Sequence, residues 1–151
     1  MKLFFWTSIF IIFLAGCFGS NGASIDQHEL EVTYSPKQKI EDSVTITNNK
    51  IKNTDSLFDL INHFNNRKKY AIKVIKITSE GDPIYYFLEY DGEKIIYTID
   101  STRDEYGNQE IRTIKCHAFR KIESKDQIYF VLKQCGDENK QIKVVSLNNE
   151  F

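Results

Sequence analysis

The sequence predicts an α+β fold in which one amphipathic helix packs on a five- to six-stranded antiparallel meander sheet. Two observations support this class. Apolar residues show helical spacing once, just after residue 54, and six later segments rich in Ile, Val, Tyr and Phe are separated by short polar turns. With 151 residues, the chain is long enough for one domain with a real core but short for two.

The helix is predicted from a stripe of apolar side chains at positions i, i+3, i+4 and i+7. These are Leu57, Leu60, Ile61 and Phe64. Residues 53–56 offer side chains that suit an N-cap, and residues 67–69 place positive charge at the C-terminal end of the helix dipole.

After the helix, the apolar period switches to two. The predicted strands are residues 70–78, 84–90, 94–100, 111–122, 127–134 and 141–147. Asp91-Gly92 is typical of a type I′ hairpin turn, in which both central residues take positive φ. Because the connections are too short for crossover helices, we expect an antiparallel sheet.

Three parts are expected along the chain. Residues 1–16 form a signal peptide, residues 17–53 a lipidated cysteine with a flexible tether, and residues 54–151 the α+β domain. Within the tether, residues 30–34 and 44–47 are weak edge strands at most.

The N-terminus has the layout of a secretory signal, with Lys2 ahead of about a dozen apolar residues. Leu14-Ala15-Gly16-Cys17 closes it and resembles the lipobox of bacterial lipoproteins. The resemblance implies that Cys17 carries a diacylglyceryl and palmitate anchor on the outer face of the cell membrane. The alternatives are a retained transmembrane helix, which needs about 20 apolar residues, and a signal peptide cut elsewhere.

Lipidation of Cys17 leaves an even pair, Cys116 and Cys135, on an oxidising side of the membrane. A disulfide is favoured over two free thiols. A metal site would need three or four ligands, and in a strand His117 points away from Cys116. A two-residue turn at residues 125–126 would place the two cysteines opposite each other, at a hydrogen-bonded pair whose wider Cα separation calls for a bulge.

A family resemblance rests on the segments 80–84, 90–92 and 100–104 together with Cys116 and Cys135. With Glu-Gly-Asp-Pro-Ile as its most specific stretch, the chain resembles a family of small lipoproteins from Bacillus-type Gram-positive bacteria, classed as a domain of unknown function. The resemblance implies location and a shared fold, and no reaction.

No catalytic, cofactor-binding or metal-binding motif is found. His28, His63 and His117 have no nucleophile motif beside them, and there is no phosphate-binding glycine loop. The best remaining segment is residues 100–110, in which Asp100, Arg103 and Asp104 form a candidate recognition loop. An internal ion pair of Arg103 is the alternative, and the calcium-loop pattern lacks its Gly and its bidentate Glu.

The near balance of 20 basic and 21 acidic residues argues against nucleic acid as a partner. We therefore expect a lipid-anchored, non-enzymatic binding or accessory module outside the cytoplasm, with an envelope protein or a small ligand as its partner. The rivals are a structural envelope protein and a hydrolase that uses carboxylates in the turns. Those carboxylates are Asp82, Asp100, Asp104 and Glu105.

Overall fold

A computed structural model describes residues 34–48 and 50–148 of the chain. These residues contain one helix, α1 (Asp55–Asn65), and eight strands. The strands are β1 (Asp42–Thr47), β2 (Lys50–Lys52), β3 (Tyr70–Ile77), β4 (Pro83–Tyr90), β5 (Ile95–Asp100), β6 (Ile111–Glu123), β7 (Gln127–Cys135) and β8 (Lys140–Asn148).

The predicted fold class is wrong. The described part of the chain is mostly sheet, and its eight strands form one nearly closed, barrel-like sheet in the order β2-β1-β3-β4-β5-β6-β7-β8. The helix is a short addition to this sheet rather than one layer of an α+β pair. The six strands predicted after the helix are present and antiparallel, so the error concerns how many strands join the sheet and how far it curls.

Two of the strands lie in the segment for which the sequence predicts a tether with weak edge strands at most. β1 is not an edge strand, because it pairs antiparallel with β2 on one side and parallel with β3 on the other. Val44 faces Val74 across the parallel pair and is fully buried. The connection from β1 to β3 contains β2 and α1, which supplies the length that a parallel crossover needs. The folded unit therefore begins before residue 54.

The helix prediction agrees with the structure. Leu57 and Leu60 are fully buried, and the helix contacts β1, β3 and β6. The Phe58 ring meets Phe130 edge-on at 5.2 Å between centroids, and Phe64 lies 4.8 Å from Tyr90. The helix therefore fills the inside of the curved sheet and joins the main apolar core.

The β4–β5 turn differs in type from the prediction. The ladder continues to Tyr90 and Ile95, and the Asp91 N–H donates to the Lys94 carbonyl at 3.2 Å. Gly92 and Glu93 are therefore the central residues, and of these only Gly92 has a positive φ, at 103°. A single glycine at the first central position is typical of a type II′ turn, not of type I′.

Candidate functional site

The two ends of the sheet, β2 and β8, approach each other without pairing, and a groove separates them. This edge groove is lined by residues of β1, β2 and β3 on one side and of β7 and β8 on the other, and its volume is about 1040 Å³. Its apolar lining includes Ile46, Ile51, Val144 and Leu147. The groove reaches the upper end of the size range of small-molecule sites, about 300–1,000 Å³.

The charges in the edge groove have one sign. Its lining includes four lysines, Lys50, Lys52, Lys76 and Lys143, and no Asp or Glu. Within residues 34–48 and 50–148, none of the four lies within ion-pair distance of a carboxylate. Lys143 Nζ lies 5.0 Å from the centre of the Tyr129 ring. The groove is therefore suited to an acidic ligand.

A smaller cavity of about 490 Å³ lies between the C-terminal end of α1 and the β4–β5 turn. Arg67 and Arg120 line it, but so does Glu93. The Arg120 guanidinium lies 5.9 Å from the centre of the Phe64 ring. This cavity is half the size of the edge groove and carries charges of both signs, so it is the weaker candidate.

The outer face of β4 and β5 carries a buried polar cluster that the sequence signals only faintly, through Glu89 as a lone acid in an apolar strand. The strap, residues 34–41, crosses this face. The Tyr34 hydroxyl donates to Glu89 at 2.5 Å and the Gln38 N–H donates to the same carboxylate at 2.9 Å. The Tyr34 N–H donates to Asp100 at 3.2 Å. Glu89 and Asp100 are each 1% exposed, so the strap covers two carboxylates and supplies donors to both.

The titration of this cluster follows its hydrogen bonds. Burial alone would raise the pKa of Asp100, but donors from the Thr102 hydroxyl, the Thr102 N–H and the Tyr34 N–H, with the charge of Arg103, hold it below its ordinary value. Burial, and then the bond to Glu89, raises the pKa of the Tyr34 hydroxyl. At neutral pH Asp100 is therefore ionised and the Tyr34 hydroxyl keeps its proton, as their hydrogen bonds require.

The three residues of the predicted recognition loop lie in different environments in the structure. Asp100 is buried and bonded to Thr102, whereas Arg103 extends over the Tyr85 ring at 5.2 Å. Asp104 accepts a hydrogen bond from the Tyr106 N–H at 3.3 Å. Of the predicted trio, Asp100 thus lies inside the protein and shapes the loop. A recognition role for the loop stays a prediction.

The turn carboxylates of the hydrolase alternative line neither the edge groove nor the smaller cavity. Asp82 instead accepts a hydrogen bond from the Glu105 N–H at 3.1 Å, which ties the β3–β4 turn to the β5–β6 loop.

Among the described residues, no three His, Cys, Asp or Glu side chains are grouped closely enough to hold a metal ion. In the same part of the chain, no helix has the length and apolarity to cross a bilayer. The predicted lipidation site, Cys17, lies outside the described residues.

The disulfide prediction is confirmed, because Cys116 and Cys135 are bonded. The Ser124 N–H donates to Gln127 O at 2.8 Å, as expected for a two-residue turn at residues 125–126, and the ladder pairs Cys116 with Cys135. Their Cα atoms are 4.1 Å apart, closer than a regular hydrogen-bonded pair. The ladder skips the pair between Cys116 and Ala118, where Gln134 takes a φ of 54°. The register is the same on both sides of this gap, so the ladder is distorted there without the extra residue of the expected bulge.

Comparison with known proteins gives a family and no activity. No curated protein and no solved structure matches the chain. The matching family model covers residues 41–131, from just before β1 into β7, so it includes α1, the buried Glu89 and Asp100, and the first cysteine of the disulfide. The chain therefore belongs to the family described as "Domain of unknown function (DUF4362)".

Proposed function

We propose that this protein is a lipid-anchored, non-enzymatic binding module on the outer face of the cell membrane, and that the edge groove is its ligand site. The observation that carries the proposal is the edge groove itself. It is the larger of the two cavities described above, its lysines have no carboxylate partners in the described chain, and its walls are two strand edges that are free to pair.

The location rests on the lipobox-like Leu14-Ala15-Gly16-Cys17 and on the apolar run before it. Two acyl chains on Cys17 would anchor the protein stably, since each buried CH₂ contributes about 0.8 kcal/mol. We place the chain among small lipoproteins of Bacillus-type Gram-positive bacteria on this motif together with segments 80–84, 90–92 and 100–104 and the pair Cys116 and Cys135. Replacement of Cys17 by Ala should move the protein from the membrane fraction to the medium or leave an uncleaved precursor.

Site-specific photocrosslinking in intact membranes tests the binding role. A photoreactive residue at Ser146, which is exposed and lines the edge groove, should give a discrete crosslinked product. The matched control is His117, which is also exposed in a strand but lies outside the groove. The product from Ser146 should be absent at His117 and should weaken when Lys50 and Lys52 are both changed to Gln. Equal products at both positions, or none at Ser146, would contradict the proposal.

A further inference from the structure

We infer that the ligand of the edge groove is an acidic, extended peptide segment of another protein, which joins the sheet as an added strand along the free edge of β8. The inference rests on the proposed function and names its ligand class.

The two walls of the edge groove are unequal. β8 has nine residues and β2 only three, so about six residues of the β8 edge extend beyond the length of β2. Within the described chain, no strand pairs with the outer edge of β8, so its backbone N–H and C=O groups are left for a partner. A peptide in an extended conformation satisfies these groups along its whole length, which a compact ligand cannot do.

The side chains of the edge groove specify the sequence of such a peptide. Successive residues of a strand point to opposite faces. One set of peptide side chains would meet the apolar lining formed by Ile51, Val144 and Leu147, and the other would face the lysines. An alternation of acidic and apolar residues is therefore the pattern that fits.

A second copy of this chain is a poor occupant. Its own edge strands carry Lys50, Lys52, Lys140 and Lys143, so two copies that paired edge to edge would bring like charges together. Lysines on edge strands also block unwanted sheet extension, which is the rival explanation for their presence. That rival predicts no preference of the groove for any peptide.

Fluorescence anisotropy with defined peptides distinguishes these explanations. The purified full chain in neutral detergent is titrated with a labelled eight-residue peptide that alternates Glu and Val. We expect saturable binding that weakens with salt, and a loss of about tenfold when one central Val becomes Pro, because Pro removes a ladder donor. A peptide that alternates Lys and Val should not bind. Amide NMR shifts should concentrate in residues 143–148.

Charge variants test the same site from the protein side. Lys50→Gln with Lys52→Gln should weaken the acidic peptide about fivefold. Lys68→Gln with Lys69→Gln removes two exposed charges outside the groove and should leave the affinity unchanged. Thermal unfolding confirms that each variant is folded.

Several outcomes would overturn the inference. Equal binding of the Pro-containing peptide would indicate a charge patch without strand addition, and equal binding of the basic peptide would remove the charge argument. Concentration-dependent dimers that the acidic peptide does not dissociate would identify a second copy as the occupant. Absence of any peptide binding, with a Ser146 crosslink still present, would overturn this ligand class and leave the proposed function standing. Absence of both the peptide binding and the Ser146 crosslink would overturn this inference and the proposed function together.

Discussion

Tyr34 and Glu89 are 55 residues apart in sequence, and the phenolic hydroxyl of one donates to the buried carboxylate of the other. The Tyr34 ring also lies 4.9 Å from the Phe87 ring on the same face. A single residue thus fastens the start of the described chain to the outer face of the sheet by a charge-assisted hydrogen bond and an aromatic contact.

Tyr34→Phe should destabilise the protein by about 1.5–3 kcal/mol, because it removes a hydrogen bond to a buried carboxylate while keeping the ring. Urea unfolding followed by circular dichroism measures this. Tyr106→Phe is the matched control: Tyr106 is 79% exposed, and its change should alter the free energy of unfolding by less than about 0.5 kcal/mol. Equal effects at the two positions would show that the strap contact adds no stability.

Because the pKa of Asp100 is lowered in the folded protein, we expect the free energy of unfolding to depend on pH. The Asp100 pKa in the folded protein lies below the ordinary value, so its contribution is complete above about pH 4 and is lost as the pH falls through the folded pKa. Asp100→Asn removes this titration, so unfolding free energies of the variant should fall less than those of the wild type between about pH 5 and pH 2. Thr102→Val removes one hydrogen-bond donor to Asp100, so the free energy of unfolding of this variant should fall by an intermediate amount over the same pH range. An unchanged slope in Asp100→Asn would contradict this assignment.

The disulfide closes a loop with a sequence separation of 19 residues. Cys116→Ser and Cys135→Ser should each destabilise the protein by about 2–5 kcal/mol. The double variant should cost little more than either single one, because one bond can be lost only once. Denaturant unfolding under non-reducing conditions measures all three. Two thiols that alkylate freely in the native wild-type protein would refute the bond.

The helix offers a packing test. Leu60 is fully buried against the sheet, so Leu60→Ala should cost about 2–5 kcal/mol. Asn62→Ala, on the exposed side of the same helix, should change the free energy of unfolding by less than about 0.5 kcal/mol. Comparable losses at the two sites would mean that α1 does not pack as described.

Local periodicity accounts for the parts of the fold that the sequence predicts. Leu57 and Leu60 mark the helix, and the alternating segments after it mark six strands. β1 and β2 are short and polar. Val44 in β1 is buried because β3 lies beside it in parallel. No local sequence pattern encodes this long-range pairing. The closure of the sheet is a long-range property of the same kind.

The candidate site, too, is predictable from the sequence only where a local pattern is sufficient. The cysteine pair was predictable from counting and register. Lys50 and Lys143 are about 90 residues apart in sequence, and they line one groove only because the sheet curls. Glu89 gave a faint signal, as a lone acid within an apolar strand, and its partner Tyr34 lies far away in the chain.

Hydrogen–deuterium exchange of the wild-type protein tests most directly whether the free edge of β8 is the binding surface. Exchange is compared between the purified chain alone and the purified chain saturated with the eight-residue peptide that alternates Glu and Val. We predict that residues 140–148 exchange several-fold more slowly with the peptide bound, because an added strand occupies their outer N–H groups. Residues 111–116, which pair with β5 in either case, should exchange equally. Unchanged exchange in β8, with new protection on another surface, would contradict the account.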